Sequence, residues 1–398
     1  MAKPFSFVST ARTVVFLLAA VIAVTAQTAS KPDVIDELRK IGLAESDLER
    51  LESGEPVIKE LERSVRREVA IIGAMKLRFP FELAAKGLER AVDNQRRESA
   101  KEAGSFSRSP DVEDLASLEF DSGDIGDLRG CVVGGCEWNL SEEIIKALEA
   151  EVDWQADDAE ARAEAILKRE LVEYVRAYLA DGNRSLMIYR DTDPAVDLGE
   201  EYQEIGPRIP FLNRFARPLA IHVRSYPADR PESTEEVLSW SEVKIGLKPV
   251  VMFTHTISYL PDHAARYSVS KQIFANHYID STLGLTALFG FPGDNGDPES
   301  LLIFVSRSRA SALRGRLGGL MRGLIEDRAK GKLNEFMSDT RRFTELAFAN
   351  RNADAEREAN LRAERERSRI ITLLWIAVPL VMAAGGIVLF LLLRKRAS

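Results

Sequence analysis

The chain has 398 residues, more than one compact core usually needs, so one large domain with attachments, or two domains, is expected. Its 45% hydrophobic and 29% charged residues exclude a disordered, collagen-like or polytopic membrane protein. A net charge of −8 with no basic block argues against nucleic acid as a partner.

The N-terminus carries Arg12, an apolar run from Thr13 to Ala26, and then Gln27. A short basic region, a run too short for a comfortable span and the small residue at the end match a secretory signal over residues 1–26, cleaved after Ala26. An uncleaved anchor is the alternative, and both forms place the following segment outside. Residues 32–54 read as a helical hairpin, with Val34, Leu38 and Ile41 and then Leu48 and Leu51 at helical spacing. From Glu68 to Phe79 the period becomes two, Pro80 stops the strand, and Phe81 to Arg97 returns to helical spacing.

Residues 111–160 form an acidic block, sixteen Asp or Glu against Arg129 and Lys146. Within it, Cys131 and Cys136 flank Val-Val-Gly-Gly, a spacing that closes into a disulfide in an oxidising compartment. Asp121, Asp124 and Asp127 lack the ligand order of a calcium loop and suit turns on a solvated face. Ser141 caps a helix that begins Glu142-Glu143, and a longer helix runs from about Ala156 to Ala180. Pro207, Pro210 and Pro218 break the stretch 198–226 into short helices, so that 141–226 reads as a helical insertion.

From Lys248 the period is again two, with Val251, Phe253, His255, Ile257 and Tyr259 on one face. Tyr267, Val269, Lys271 and Ile273 continue the pattern, His277 to Phe291 share one parity, and Leu301 to Ser306 is a last strand. Ser311 to Asn350 reads as a terminal helix, and residues 351–369 as an exposed helical stalk. Ile370 to Leu393 is uncharged for 24 residues, enough to cross the hydrocarbon, and the basic tail 394–398 is expected to stay in the cytoplasm. The expected fold class is therefore α+β: an extracytoplasmic domain over 31–350 with an antiparallel sheet, a long C-terminal helix and a helical insertion, tethered to the bilayer by one transmembrane helix.

This order of elements resembles the helix-grip fold of START-type lipid-transfer domains, in the strand Glu68–Phe79 followed at once by a helix and the strand Leu301–Ser306 followed by Arg314-Gly-Arg-Leu-Gly-Gly-Leu-Met-Arg-Gly-Leu-Ile. The stretches Asp127-Leu-Arg-Gly-Cys-Val-Val-Gly-Gly-Cys, Gly246-Leu-Lys-Pro-Val and Lys271-Gln-Ile-Phe-Ala-Asn-His-Tyr are similar to a group of exported, membrane-anchored bacterial proteins, a likeness that implies an address and no activity. The START likeness implies a tunnel between sheet and terminal helix for a lipid or other apolar ligand, which the central insertion would close or fill.

His255 and His277 fall on apolar parities, where a polar group must find a partner or line a cavity. With Lys271, Tyr259 and Tyr278 they are the candidate pocket residues for a ligand's polar head. A zinc set from His255, His263, His277 and Asp280 matches no ligand spacing. Ser268-Val-Ser-Lys271 and Ser241-Glu-Val-Lys244 have the Ser-x-x-Lys spacing of serine acyl-enzymes without their companion motifs. No cofactor or phosphate fingerprint is present, and Arg307 and Arg309 suit a solvated edge. A non-enzymatic, lipid-binding envelope domain is the leading expectation. A hydrolase using His255 or His277, or a scaffold docking an envelope protein through the 111–160 face, stands beside it.

Overall fold

A computed structural model of the chain describes residues 29–244, 248–293, 295–313, 319, 322–323, 325–354, 356–358, 361–362 and 365. The signal segment 1–26, the apolar segment 370–393 and the tail 394–398 lie outside the described residues, as do parts of the stalk, of the Gly246 stretch and of the Arg314 stretch. Among the described residues no helix is long and apolar enough to cross a membrane.

Two short helices, α1 (Lys31–Lys40) and α2 (Glu45–Ser53), form the expected hairpin. Ser30 caps the first through the Asp33 amide, and Gly54 ends the second at φ 96°. Then come β1 (Val57–Glu60), β2 (Glu68–Leu77), α3 (Phe81–Ser99) and β3 (Ala100–Ser105). The insertion holds α4 (Ser122–Asp127), α5 (Glu142–Glu151), α6 (Ala159–Asp181), the small pair β4 (Ile188–Tyr189) and β5 (Val196–Asp197), α7 (Leu198–Ile205), α8 (Pro210–Phe215) and α9 (Arg217–Ser225). A meander follows, β6 (Thr234–Lys244), β7 (Pro249–Tyr259), β8 (Ala265–Ala275), β9 (Ile279–Pro292) and β10 (Pro298–Ala310), and then a long terminal helix, α10 (residues 325–354).

The eight large strands form one antiparallel sheet in the order β1-β2-β10-β9-β8-β7-β6-β3. The chain enters near one edge, crosses to the other through α3, and the meander returns until β10 pairs with β2. Long-range closure of this kind brings the two period-two segments of the sequence into one sheet.

The two faces of the sheet bury different partners. One face, which includes Ile72, Phe253, Val269, Leu285 and Ile303, packs against α1, α2 and the insertion through Leu38, Tyr178, Phe211 and Leu219. On the opposite face the apolar half lies over β2 and β10, where Ile71, Met75 and Leu302 meet Leu88 of α3 and Leu333, Phe336 and Met337 of α10. Farther along, that face changes to partly exposed hydroxyls, Thr256 beside Ser270 and Ser258 beside Ser268 and Thr286, as expected for a solvated side of an antiparallel sheet. The insertion therefore covers the long apolar face, and α10 lies on the other side at the β2–β10 end.

Two glycines make the seat of α10. A Cβ on Gly73 of β2 would lie 2.3 Å from Met337 Cε, and one on Gly87 of α3 would lie 2.0 Å from Thr344 Oγ1 and 2.8 Å from the Thr340 carbonyl. The first contact meets the end of a flexible side chain, whereas the second meets backbone. Gly87→Val is accordingly expected to lower stability by about 1–3 kcal/mol and to speed amide exchange over residues 333–347, read by urea unfolding and hydrogen exchange. Unchanged stability would show that α10 is not held by this contact.

Candidate functional site

The strands β7 and β8 place His255 directly opposite Lys271, and the alternation turns both toward the insertion. Each is 1% exposed. His255 sits between two partners: its Nδ1 is 2.9 Å from the hydroxyl of Tyr178 on α6, and its Nε2 is 3.4 Å from a carboxylate oxygen of Glu236 on β6. The other Glu236 oxygen lies 3.1 Å from His222 Nε2 on α9 and 3.0 Å from Arg230 Nε. Tyr226, at the end of α9, stacks on Tyr178 and meets His255 edge-on at 4.6 Å. Lys271 Nζ donates to Asn183 Oδ1 and lies 5.1 and 5.3 Å from the ring centres of Tyr178 and Tyr202.

Burial lowers the pKa of His255, helped by the charge of Lys271 and opposed by Glu236. Burial alone pushes Lys271 down to about 7. Burial also works against a charged His222, but its bonds to Glu236 and the Ala228 carbonyl outweigh that and hold its pKa above the ordinary value. Glu236 stays well below the carboxylate range because the bonds from His222 and His255 overcome its desolvation. The opposed shifts come from one buried group of contacts that joins three strands to the insertion.

The remaining candidates do not join this cluster. His277 and Tyr278 lie in the β8–β9 turn and not on a strand, with Tyr278 at φ 60°. His277 Nδ1 is 3.0 Å from the Glu137 carbonyl and its Nε2 is 3.5 Å from Asp124, while the Tyr278 hydroxyl accepts the Lys248 amide at 3.2 Å. Tyr259 ends β7 and stacks on Tyr267. Asp280 pairs with Arg67 at 2.7 Å and His263 is exposed in the β7–β8 turn, so the four residues of the zinc set stand in four environments. Ser268 and Lys271 stand on opposite faces of β8, which separates the Ser-x-x-Lys pair.

Arg307 and Arg309 are not at an edge, since β10 is an inner strand, and they are 7% and 1% exposed. Arg309 Nη1 lies 2.9 Å from Glu201 and 2.8 Å from Glu204, and Arg67 joins Glu201 to Asp280. Arg307 pairs with the buried Glu68 at 3.2 Å.

The acids of the block lie at or near the surface except Asp124, which was expected on a solvated face and is instead 5% exposed beside Lys248 and His277. Cys131 and Cys136 form a disulfide that closes a loop pinned to the neighbouring chain by Gly134 N–H to the Arg190 carbonyl at 2.6 Å and Cys136 N–H to the Asp191 carbonyl at 3.0 Å. Its tip presents Val132 and Val133, 54% and 42% exposed. Lys248 gathers Asp124, Asp127 and Glu137 behind it.

Glu236, His222 and Tyr178 were not among the sequence candidates. Continuing the alternation through Thr234–Lys244 would have placed Glu236 on the parity of Leu238 and Trp240, and His222 falls beside Leu219 and Val223 on the buried stripe of α9. Among the described residues, hollows lie around Lys31 and Lys76 and around Gln95 and Lys332, and neither is lined by a histidine. No protein-family profile matches the chain, and no curated protein matches it.

Proposed function

We propose that the chain is a membrane-tethered, non-enzymatic domain on the outer side of the cell membrane that docks an envelope protein through its acidic 111–160 face. The observation that carries this reading is the contrast between a packed interior and a stiff, open acidic surface with two valines at its tip. Exposed valines held by a disulfide and two backbone bonds lose little freedom on binding, and exposed acids of the same block, Asp121 and Glu137 among them, favour a partner whose apolar pocket is rimmed by Lys or Arg. Export by the Thr13–Ala26 run and tethering by Ile370–Leu393 follow from hydropathy, and the disulfide suits an oxidising compartment.

A helix-grip domain holding a lipid or another apolar ligand needs a tunnel between the sheet and the terminal helix, whereas here the long apolar face is covered by the insertion and α10 lies on the other face. The insertion residues Tyr178, Phe211 and Leu219 occupy the space over the apolar sheet face instead. Hydrolysis through His255 or His277 needs an open cleft beside the base, and these residues are 1% and 3% exposed.

A photoreactive residue at Val133 of the full-length protein in its own membrane should give one discrete protein adduct, lost when Asp121 and Glu137 are made Asn and Gln. The same probe at Leu260, exposed elsewhere on the domain, should not give it. An adduct that ignores the acids, or none, overturns the docking reading. A lipid retained at stoichiometric level in native mass spectrometry would restore the ligand-holding one.

A further inference from the structure

The cluster around His255 joins the sheet to the insertion through a chain of proton-dependent contacts. Glu236 comes from β6, His255 from β7 and Lys271 from β8, while the insertion supplies Tyr178 from α6, Asn183 just after it, Tyr202 from α7, and His222 and Tyr226 from α9, with Arg230 following. With neutral His255 the bookkeeping of hydrogens closes: Nε2–H points to Glu236, and Nδ1 accepts from the Tyr178 hydroxyl. A proton added at Nδ1 turns that nitrogen into a donor. Tyr178 must then accept, and its own hydroxyl hydrogen, which has no second acceptor among the described residues, is stranded in the interior.

Charge acts in the same direction. Glu236 already faces His222 and Arg230, so its single carboxylate is shared before His255 takes a proton. Lys271 stands directly across the ladder from His255, and like charges at directly opposed positions destabilise a sheet. Fully protonated, the cluster sets Arg230, His222, His255 and Lys271 against one carboxylate. Burial lowers the pKa of both His255 and Lys271, with the charge of Lys271 adding to the effect at His255, and the raised value of His222 keeps the His222–Glu236 bond in place while the conflict develops.

We infer that the His255–Tyr178 contact, framed by Glu236, His222 and Lys271, is an acid-released clasp that holds α6 and α9 of the insertion against the sheet. In neutral surroundings the clasp is closed. Acidification opens the seam over β7 and β8, exposing Tyr178 and Tyr226, while α3 and α10 on the far face stay packed on β2 and β10.

Hydrogen exchange of the full-length protein in nanodiscs, compared at about pH 7.5 and about pH 5 after correction for the intrinsic rate, tests this. Protection over residues 176–183 and 219–226 should fall by about tenfold or more on acidification, with residues 333–347 unchanged. His255→Gln keeps a partner for Tyr178 without taking a proton and should abolish the response. Tyr178→Phe should lower protection at neutral pH and shrink the response, a check that survives if the His255 variant fails to fold. Equal protection at both pH values, a loss spread evenly to residues 333–347, or an undiminished response in either variant overturns the clasp.

Discussion

Replacing Arg309 by Met is expected to destabilise the protein by about 3–5 kcal/mol, the usual effect of removing one member of a buried ion pair. Arg309 is 1% exposed, and its guanidinium serves Glu201 at 2.9 Å, Glu204 at 2.8 Å and the Ser64 hydroxyl at 3.2 Å. Without it, the charge of Glu201 is met among the described residues only by Arg67, which also serves Asp280, and the remaining bond to Glu201 is from the Ser281 hydroxyl at 3.3 Å. Burial raises the pKa of Glu201, but the bonds from Arg67 and Arg309 outweigh it and hold the value below normal. A depressed carboxylate contributes stability that is present above its unfolded pKa and lost as pH falls through the folded one. The variant should therefore lose most near neutral pH and less in acid, where Glu201 takes a proton in the variant and its charge no longer lacks a partner. Urea unfolding of the full chain at about pH 7.5 and about pH 4 reads both effects. Adding Glu201→Met to Arg309→Met should recover part of the loss, since removing both partners no longer strands a charge. A single-variant loss under about 1 kcal/mol would mean that the network is not coupled to folding.

These arginines also show where the sequence was legible and where it was not. The strands β2, β7, β8 and β9 are visible because apolar residues recur on one parity along them, and the hairpin α1–α2 because Val34, Leu38, Ile41, Leu48 and Leu51 recur at helical spacing up to Gly54. Arg307 and Arg309 have the parity of Leu301, Ile303 and Val305, so extending β10 four residues beyond Ser306 predicts two arginines facing the insertion. Charge disguised that continuation. The same holds for β6, where Glu235, Glu236 and Glu242 interrupt a run that otherwise alternates through Leu238 and Trp240. β1 and β3 are short edges with little apolar content, and their existence depends on partners far away in the chain.

The candidate site divided along the same line. His255 and Lys271 were legible because a polar residue on an apolar parity stands out within one strand. That they face each other depends on the β7–β8 register, and the β-bulge between Phe253 and Thr254 cannot be read from periodicity. Glu236, His222 and Tyr178 come from elements separated by tens of residues, and only tertiary packing assembles them. His277 shared the parity of β9 but precedes it, so the turn and not the sheet decides its surroundings. Placement of α10 was the least legible feature, because a terminal helix can pack on either face until the insertion has claimed one.

Lys271→Met should give the largest gain in stability. Burial pushes the Lys271 amine from 10.5 down to about 7, a difference equivalent to on the order of 4–5 kcal/mol against the ammonium form. The sign follows from proton counting. Between about 7 and 10.5 the unfolded chain binds a proton that the folded chain does not, so stability rises with pH across that window. Below about 7 both states bind it and the full penalty applies. Methionine fills a similar volume without a charge, but it leaves Asn183 Oδ1 without its donor, a loss of about 1–3 kcal/mol. The net expectation is a gain of about 2 kcal/mol near pH 6.5 that shrinks and then reverses as the pH approaches about 10. His222 contributes the opposite slope: its raised pKa gives stability that is complete below 6.5 and is lost as pH rises through the folded value. That term is common to both proteins, so the difference between wild type and variant isolates Lys271. Urea midpoints at about pH 6.5, 8 and 9.5 should climb for the wild type relative to Lys271→Met. Parallel midpoints, or a variant that is weaker near pH 6.5, would show that the rings of Tyr178 and Tyr202 and the Asn183 oxygen hold the ammonium at little penalty. The second proton of the cluster, on His255, would then have to drive any response to acid alone.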